Sequence, residues 1–231
     1  MPYRSLLGQR HPQSSIQLSV NITNLFAGAD RHGLIWQSYD MAELEIVHYG
    51  NPILRKKGKP VERFDDKLKQ LTEDMIETMR AAEGIGLAAQ QIGLALRVCV
   101  IDLRPAEREF DYQLNSGTPP LELIMPLVLI NPEVTATPEP LTTYTEGCLS
   151  FPEIQGDIDR PDRIQVRFKD REDHDNILTC NGLLSRCVQH EVDHLNGVLF
   201  IDRMQKISRL EINSDLRELR QTTRKRLKRP N

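Results

Sequence analysis

The stretch QHEVDHLNG, residues 189–197, sets His190 and His194 four positions apart with Glu191 beside the first of them. On an α-helix that spacing puts both imidazoles on one side, about 6 Å apart along the axis, where they can reach the same ion. The pattern is one used by metal-dependent hydrolases, but two histidines are half a site and the short motif has a real false-positive rate. A third ligand decides what chemistry is available.

Several completions fail on spacing. The metzincin pattern asks for a histidine six residues beyond the second, and Phe200 stands there. A glutamate from a later helix would have to be Glu211 or Glu218, both in a strongly basic segment. Cys187 shares the helix face but lies about 10 Å of rise from His194, too far for ligands that must all approach one ion within about 2.0–2.3 Å. Cys99 and Cys180 sit in the strand-like runs VCVI and ILTC, where a small buried hydrophobe is expected. Cys148 lies in TEGCLSFPE, between Gly147 and Leu149, in a segment with neither helical nor clean strand period. A loop cysteine after a glycine can approach an ion closely, and Cys148 is the expected third ligand.

These residues need elements to position them. Leu183, Leu184, Val188 and Val192 recur at helical spacing over residues 182–195, with Gly197 where a helix would end. Leu68, Leu71, Met75, Met79 and Ala82 mark a second helix over residues 66–82, which Gly84 is expected to end. LEIVHY (44–49), RVCVIDL (97–103), VLI (128–130) and RIQVRF (163–168) read as strands, and residues 105–120 as an exposed loop. Strands first and a helix after them imply an α+β arrangement.

Bulk properties bound the rest. The chain has 231 residues, 39% hydrophobic and 27% charged, as expected for one catalytic core with appendages. Its most apolar run, 121–130, is interrupted by Glu122 and Pro126 and falls short of the roughly 20 residues of a membrane span. The four cysteines follow no disulfide framework, so a reducing cytoplasm is expected. From Lys206 onward nine Lys/Arg face three Asp/Glu, whereas the whole chain carries −3, so the body is acidic and its end basic. Three segments are expected: a poorly structured extension over residues 1–40, a catalytic domain over 41–205 and a basic helical tail over 206–231, with Leu210, Ile212, Leu216, Leu219 and Leu227 as its apolar stripe.

Three stretches, GIGLAAQQIG (84–93), EGCLS (146–150) and QHEVDHLNG, together resemble the three motifs of the peptide deformylase family, in the same order. One departure is Gln90, where many members have proline. The resemblance implies mixed, mainly antiparallel sheets packed around a central helix that carries the His-Glu-x-x-His motif. It implies removal of the formyl group from the N-terminal formylmethionine of nascent peptides, releasing formate. It implies Fe2+, with Zn2+, Ni2+ or Co2+ as alternatives, on Cys148, His190 and His194, leaving one coordination position open. Glu191 would be the general base. The amide of Gln91 and the N–H of Leu149 would stabilise the oxyanion, and Ile85 and Gly86 would bond the extended peptide. Leu149, Cys187 and Ile85 would line the methionine pocket. A Glu146–Arg160 pair is expected to brace the cysteine loop, and the basic tail to contact the ribosome through phosphates. No membrane is implied as a partner.

Overall fold

A computed structural model of the chain describes residues 43–106, 110–137 and 140–228. The extension expected over residues 1–40 lies outside them. The first helix, α1 (Asp66–Ala81), begins where the Asp65 carboxylate accepts from Leu68 N at 3.2 Å. Its Leu68, Met75 and Met79 form a buried face. The chain then passes through β1 (Gly86–Ala88), β2 (Val98–Ile101), β3 (Tyr112–Leu114), the short α2 (Leu121–Ile124) and β4 (Leu127–Ala136). β5 (Leu141–Cys148), β6 (Phe151–Pro161), β7 (Ile164–Lys169) and β8 (Asp175–Cys180) follow, then α3 (Gly182–Leu195), α4 (Phe200–Arg203), α5 (Lys206–Glu211) and α6 (Asn213–Leu227).

Six strands make one antiparallel sheet in the order β1-β2-β4-β7-β8-β3, with β1 at an edge, and β5 and β6 form a separate hairpin. The fold is α+β with antiparallel sheets. β2 is apolar throughout because both faces are covered. Val98 and Val100 pack in the cluster of α1, while Cys99 and Ile101 pack in that of α3 with Val188 and Val192. A strand buried on both faces shows no polar alternation.

The structure departs from the sequence reading in four places. Residues 44–48 join no ladder, and Tyr49 already belongs to the following turn. Their amides go to mixed partners instead: Leu44 N to Thr78 Oγ1, Val47 N to Gln91 O and Tyr49 N to Ser150 O. The expected loop over 105–120 contains β3, which pairs with β8. Glu83, φ 55, carries the left-handed conformation after α1, whereas Gly84 lies under the end of the Leu149 side chain, whose Cδ1 would be 2.7 Å from a Cβ there and would have to shift. Finally, the basic segment is packed on the body. Leu216 of α6 is buried with Leu54, Phe151, Phe200 and Met204, with Ile212 and Leu219 partly covered, whereas Leu210 and Leu227 are exposed.

Candidate metal centre and active site

α3 presents the two histidines and ends just beyond them. Gly197, φ 72, donates its N–H to His194 O at 2.9 Å, and Val198 N reaches Asp193 O at 2.9 Å. This is a glycine-closed helix end. Only a glycine fits, because a Cβ at 197 would lie 2.6 Å from Arg55 O. His190 and His194 are buried with ring centroids 5.1 Å apart.

Cys148 arrives from the hairpin tip. Register shifts there from Gly147 opposite Gln155 to Cys148 opposite Phe151, and the extra residues on β6 re-aim the end of β5. Cys148 Sγ lies 3.3 Å from His194 Nε2. One ligand atom from each of Cys148, His190 and His194 falls within 4.8 Å of the others. The Nδ1 of His190 faces Glu146 Oε2 at 3.0 Å, which leaves Nε2 for the cluster. A sulfur and two imidazole nitrogens suit a borderline divalent ion of the iron or zinc kind, so these residues fit the ion they imply.

The other expected residues gather on the same cavity of about 730 Å³, whose lining includes Ile85, Gly86, Gln91, Leu149, Cys187 and Glu191. Glu191 is 3% exposed, its Oε2 has no hydrogen-bond partner among the described residues, and burial pushes its carboxyl up to about 7. Gly86 makes room for it, since a Cβ at 86 would overlap Glu191 Oε1 and lie 3.0 Å from Cys187 Sγ. The Gln91 carboxamide is oriented by Ala88 N, which donates to Oε1 at 2.8 Å and leaves Nε2 3.5 Å from Cys148 Sγ.

Asp102 N donates to Ile85 O at 3.0 Å, so strand alternation turns the Gly86 amide and carbonyl away from β2, toward the open sheet edge. Ile85 O also accepts from Cys187 Sγ at 3.5 Å. Burial holds the Cys187 thiol well above its ordinary value, and Cys187 is not in the ligand group. Leu149 occupies the turn between β5 and β6, over Gly84.

Glu146 and Arg160 pair through Nε to Oε1 at 2.7 Å and Nη2 to Oε2 at 2.9 Å. Burial alone would raise the Glu146 carboxyl, but its bonds from Arg160 and His190 outweigh that and hold it well below the usual carboxylate range. The pair is part of a larger network that sequence reasoning missed. Arg160 Nη1 also bonds Asp193 Oδ2 at 2.7 Å, and Arg186 Nη1 bonds Glu146 Oε1 at 2.7 Å. One signal was available: Arg186 precedes His190 by one helical turn, so an arginine shares the face that carries both histidines.

An antiparallel α+β body that brings one cysteine and two helical histidines together beside a buried glutamate has the make-up of a metal-dependent hydrolase. The pattern of the polypeptide deformylase family matches residues 43–210. A peptide deformylase of Opitutus terrae is 53% identical over 182 residues, covering 78% of this chain and 95% of the relative. Among solved structures, the Synechococcus elongatus peptide deformylase, in complex with actinonin, is 41% identical with a TM-score of 0.64, covering 76% of this chain and 85% of its own. Peptide deformylase 1B of Arabidopsis thaliana is 34% identical with a TM-score of 0.70, covering 81% and 96%. The chain belongs to the peptide deformylase family, metal-dependent hydrolases that remove the formyl group from the N-terminal formylmethionine of nascent polypeptides. Among the described residues no helix is long and apolar enough to cross a membrane.

Proposed function

We propose that Cys148, His190 and His194 hold the divalent ion of this deformylase and that Glu191 moves the proton. The observation that supports this most is the convergence of the three ligand atoms within 4.8 Å, next to a buried glutamate. The ion in this reading is ferrous iron, with zinc, nickel or cobalt able to take its place. When bound, it supplies positive charge that acidifies a water and polarises the formyl carbonyl.

The chain's own residues do the rest. Glu191 accepts the proton of the attacking water and returns it to the leaving amine. Gln91 Nε2 and the N–H of Leu149 donate to the oxyanion that forms on the formyl carbon. The extended peptide pairs with Ile85 and Gly86 at the sheet edge. Ile85, Leu149 and Cys187 receive the methionine side chain. The amine leaves as the new N-terminus, and formate remains.

A formylmethionyl peptide and an internally cleavable blocked peptide, assayed side by side on anaerobically purified protein with its metal content measured, test this reading. Cleavage of the internal peptide would replace it with a metallopeptidase. Iron-loaded activity should decay in air, as expected of a ferrous ion beside a thiolate; full, air-stable activity with stoichiometric iron would contradict the iron assignment.

The enzyme works in the cytoplasm in this reading, with residues 41–205 as its catalytic domain and 206–231 as a basic helical tail. The exposed Arg224, Lys225, Arg226 and Lys228 at the end of α6 contact ribosomal phosphates. Truncation after Thr223 removes this basic run and spares the buried Leu216. Equal ribosome co-sedimentation with and without the run, at low and moderate salt, would rule the contact out.

A further inference from the structure

The candidate ion site is divided between two elements that share no strand ladder. His190 and His194 belong to α3, whereas Cys148 belongs to a hairpin separate from the six-stranded sheet. Something other than backbone pairing must bring the hairpin to the helix at the right height.

β5 shows what does so. Its burial alternates from Leu141 to Cys148, so Thr142, Tyr144, Glu146 and Cys148 share the inward face. One side chain of α3 meets the first three in turn. Arg186 Nη2 donates to Thr142 O at 2.5 Å and to Thr142 Oγ1 at 3.1 Å, its guanidinium lies 4.6 Å from the Tyr144 ring centroid, and Nη1 donates to Glu146 Oε1 at 2.7 Å. Nη1 also reaches Ile158 O on β6 at 3.0 Å. Cys148 is the next residue on that face.

Arg186 is 5% exposed, and an arginine this buried is costly to desolvate. An apolar side chain of similar volume would fill the space without that cost, so stability alone is a poor account of the charge. The planar fork can bind several acceptors along one strand at once, which fixes register as well as distance. Arg160 makes the reciprocal stitch from the hairpin to Asp193 on α3, and both arginines converge on Glu146, whose other oxygen faces His190.

We propose that Arg186 is a positioning residue that sets the inward face of β5 against α3 and so delivers the Cys148 sulfur to the two histidines before an ion binds. This rests on the reading of Cys148, His190 and His194 as one ion site.

The test uses the full chain stripped of metal by chelation, as the parent and as Arg186→Met, Arg186→Lys and Cys148→Ser. Cobalt is titrated in, followed by thiolate-to-cobalt absorption and by bound metal, and hydrogen exchange of the metal-free proteins is read over β5 and α1. Arg186→Met should weaken cobalt binding about 10–100-fold. It should also speed β5 exchange in the metal-free protein while leaving α1 as in the parent, with cobalt restoring β5 protection. Arg186→Lys should fall between, because it keeps the charge and loses the fork. Cobalt affinity within twofold of the parent, or unchanged β5 exchange, would overturn the proposal. If Arg186→Met does not fold, Arg186→Lys decides by the same two measurements. Undiminished cobalt binding by Cys148→Ser would instead sink the ion-site reading on which the proposal rests.

Discussion

Gly86 and the Glu191 carboxylate approach so closely that a Cβ at residue 86 would overlap Glu191 Oε1. The glycine is therefore a demand of the acid it faces. Gly86→Ala should displace that carboxylate, and a misplacement of about 1 Å can cost about 100-fold in turnover. Steady-state deformylation of a formylmethionyl peptide, with circular dichroism to confirm the fold, measures this; parent-level turnover would mean the carboxylate's position is not critical.

Glu191→Gln should keep bound metal and lose about 100- to 10,000-fold of the turnover, since the carboxamide leaves the ligands intact but cannot carry the proton. Cys148→Ser should lose the metal, whereas Cys187→Ser, whose thiol lies on Ile85 O, should retain it. Metal analysis after gel filtration distinguishes the variants. Metal loss that follows Cys187 would reverse the ligand assignment.

Asp102 ties the end of β2 to Ile85, in the segment proposed to pair with the peptide, through its amide on Ile85 O. Its buried carboxylate is held below the ordinary value chiefly by the hydrogen bond from Arg104, with Arg80 adding to it. Because the folded value is the lower one, the stabilisation is complete above the unfolded value near about 3.9 and is lost as pH falls through the folded value. Asp102→Asn should cost about 2 kcal/mol at neutral pH. The gap to the parent should narrow as the pH drops below about 4. Urea unfolding at pH 7 and pH 3 would show it, and a gap that widens in acid would refute the assignment.

Leu216 links α6 to the site through packing. It shares a cluster with Phe151 and Phe200, whose rings meet edge to face at 5.0 Å, and Phe200 stacks 6.3 Å from His190. Leu216→Ala should cost about 2–5 kcal/mol. A denaturation midpoint equal to the parent's would show that α6 adds nothing to the body.

Local regularities were legible in the sequence. Residues 182–195 carry their helix in apolar spacing and close it with Gly197, and residues 66–81 carry theirs in the same spacing, although Glu83 rather than Gly84 takes the left-handed turn beyond it. Those periods are written within one or two turns of chain, so no distant contact is needed to read them. The hairpin was not legible, because the inward face of β5 is Thr142, Tyr144, Glu146 and Cys148 rather than an apolar row. Strand patterning assumes that inside means hydrophobic, and here Thr142, Tyr144 and Glu146 answer Arg186 while Cys148 faces His194.

Types and spacing determined which groups could bind an ion, and the resemblance of three motifs to a known family named Glu191 as the expected proton carrier. Only the tertiary structure decided that Cys148 reaches His194, that Glu191 loses its water beside Gly86, and that Arg186 rather than Arg160 alone meets Glu146. Those relations join residues far apart in the chain. They depend on the hairpin's register and on desolvation, which exist only once the sheet, the helix and the hairpin have packed.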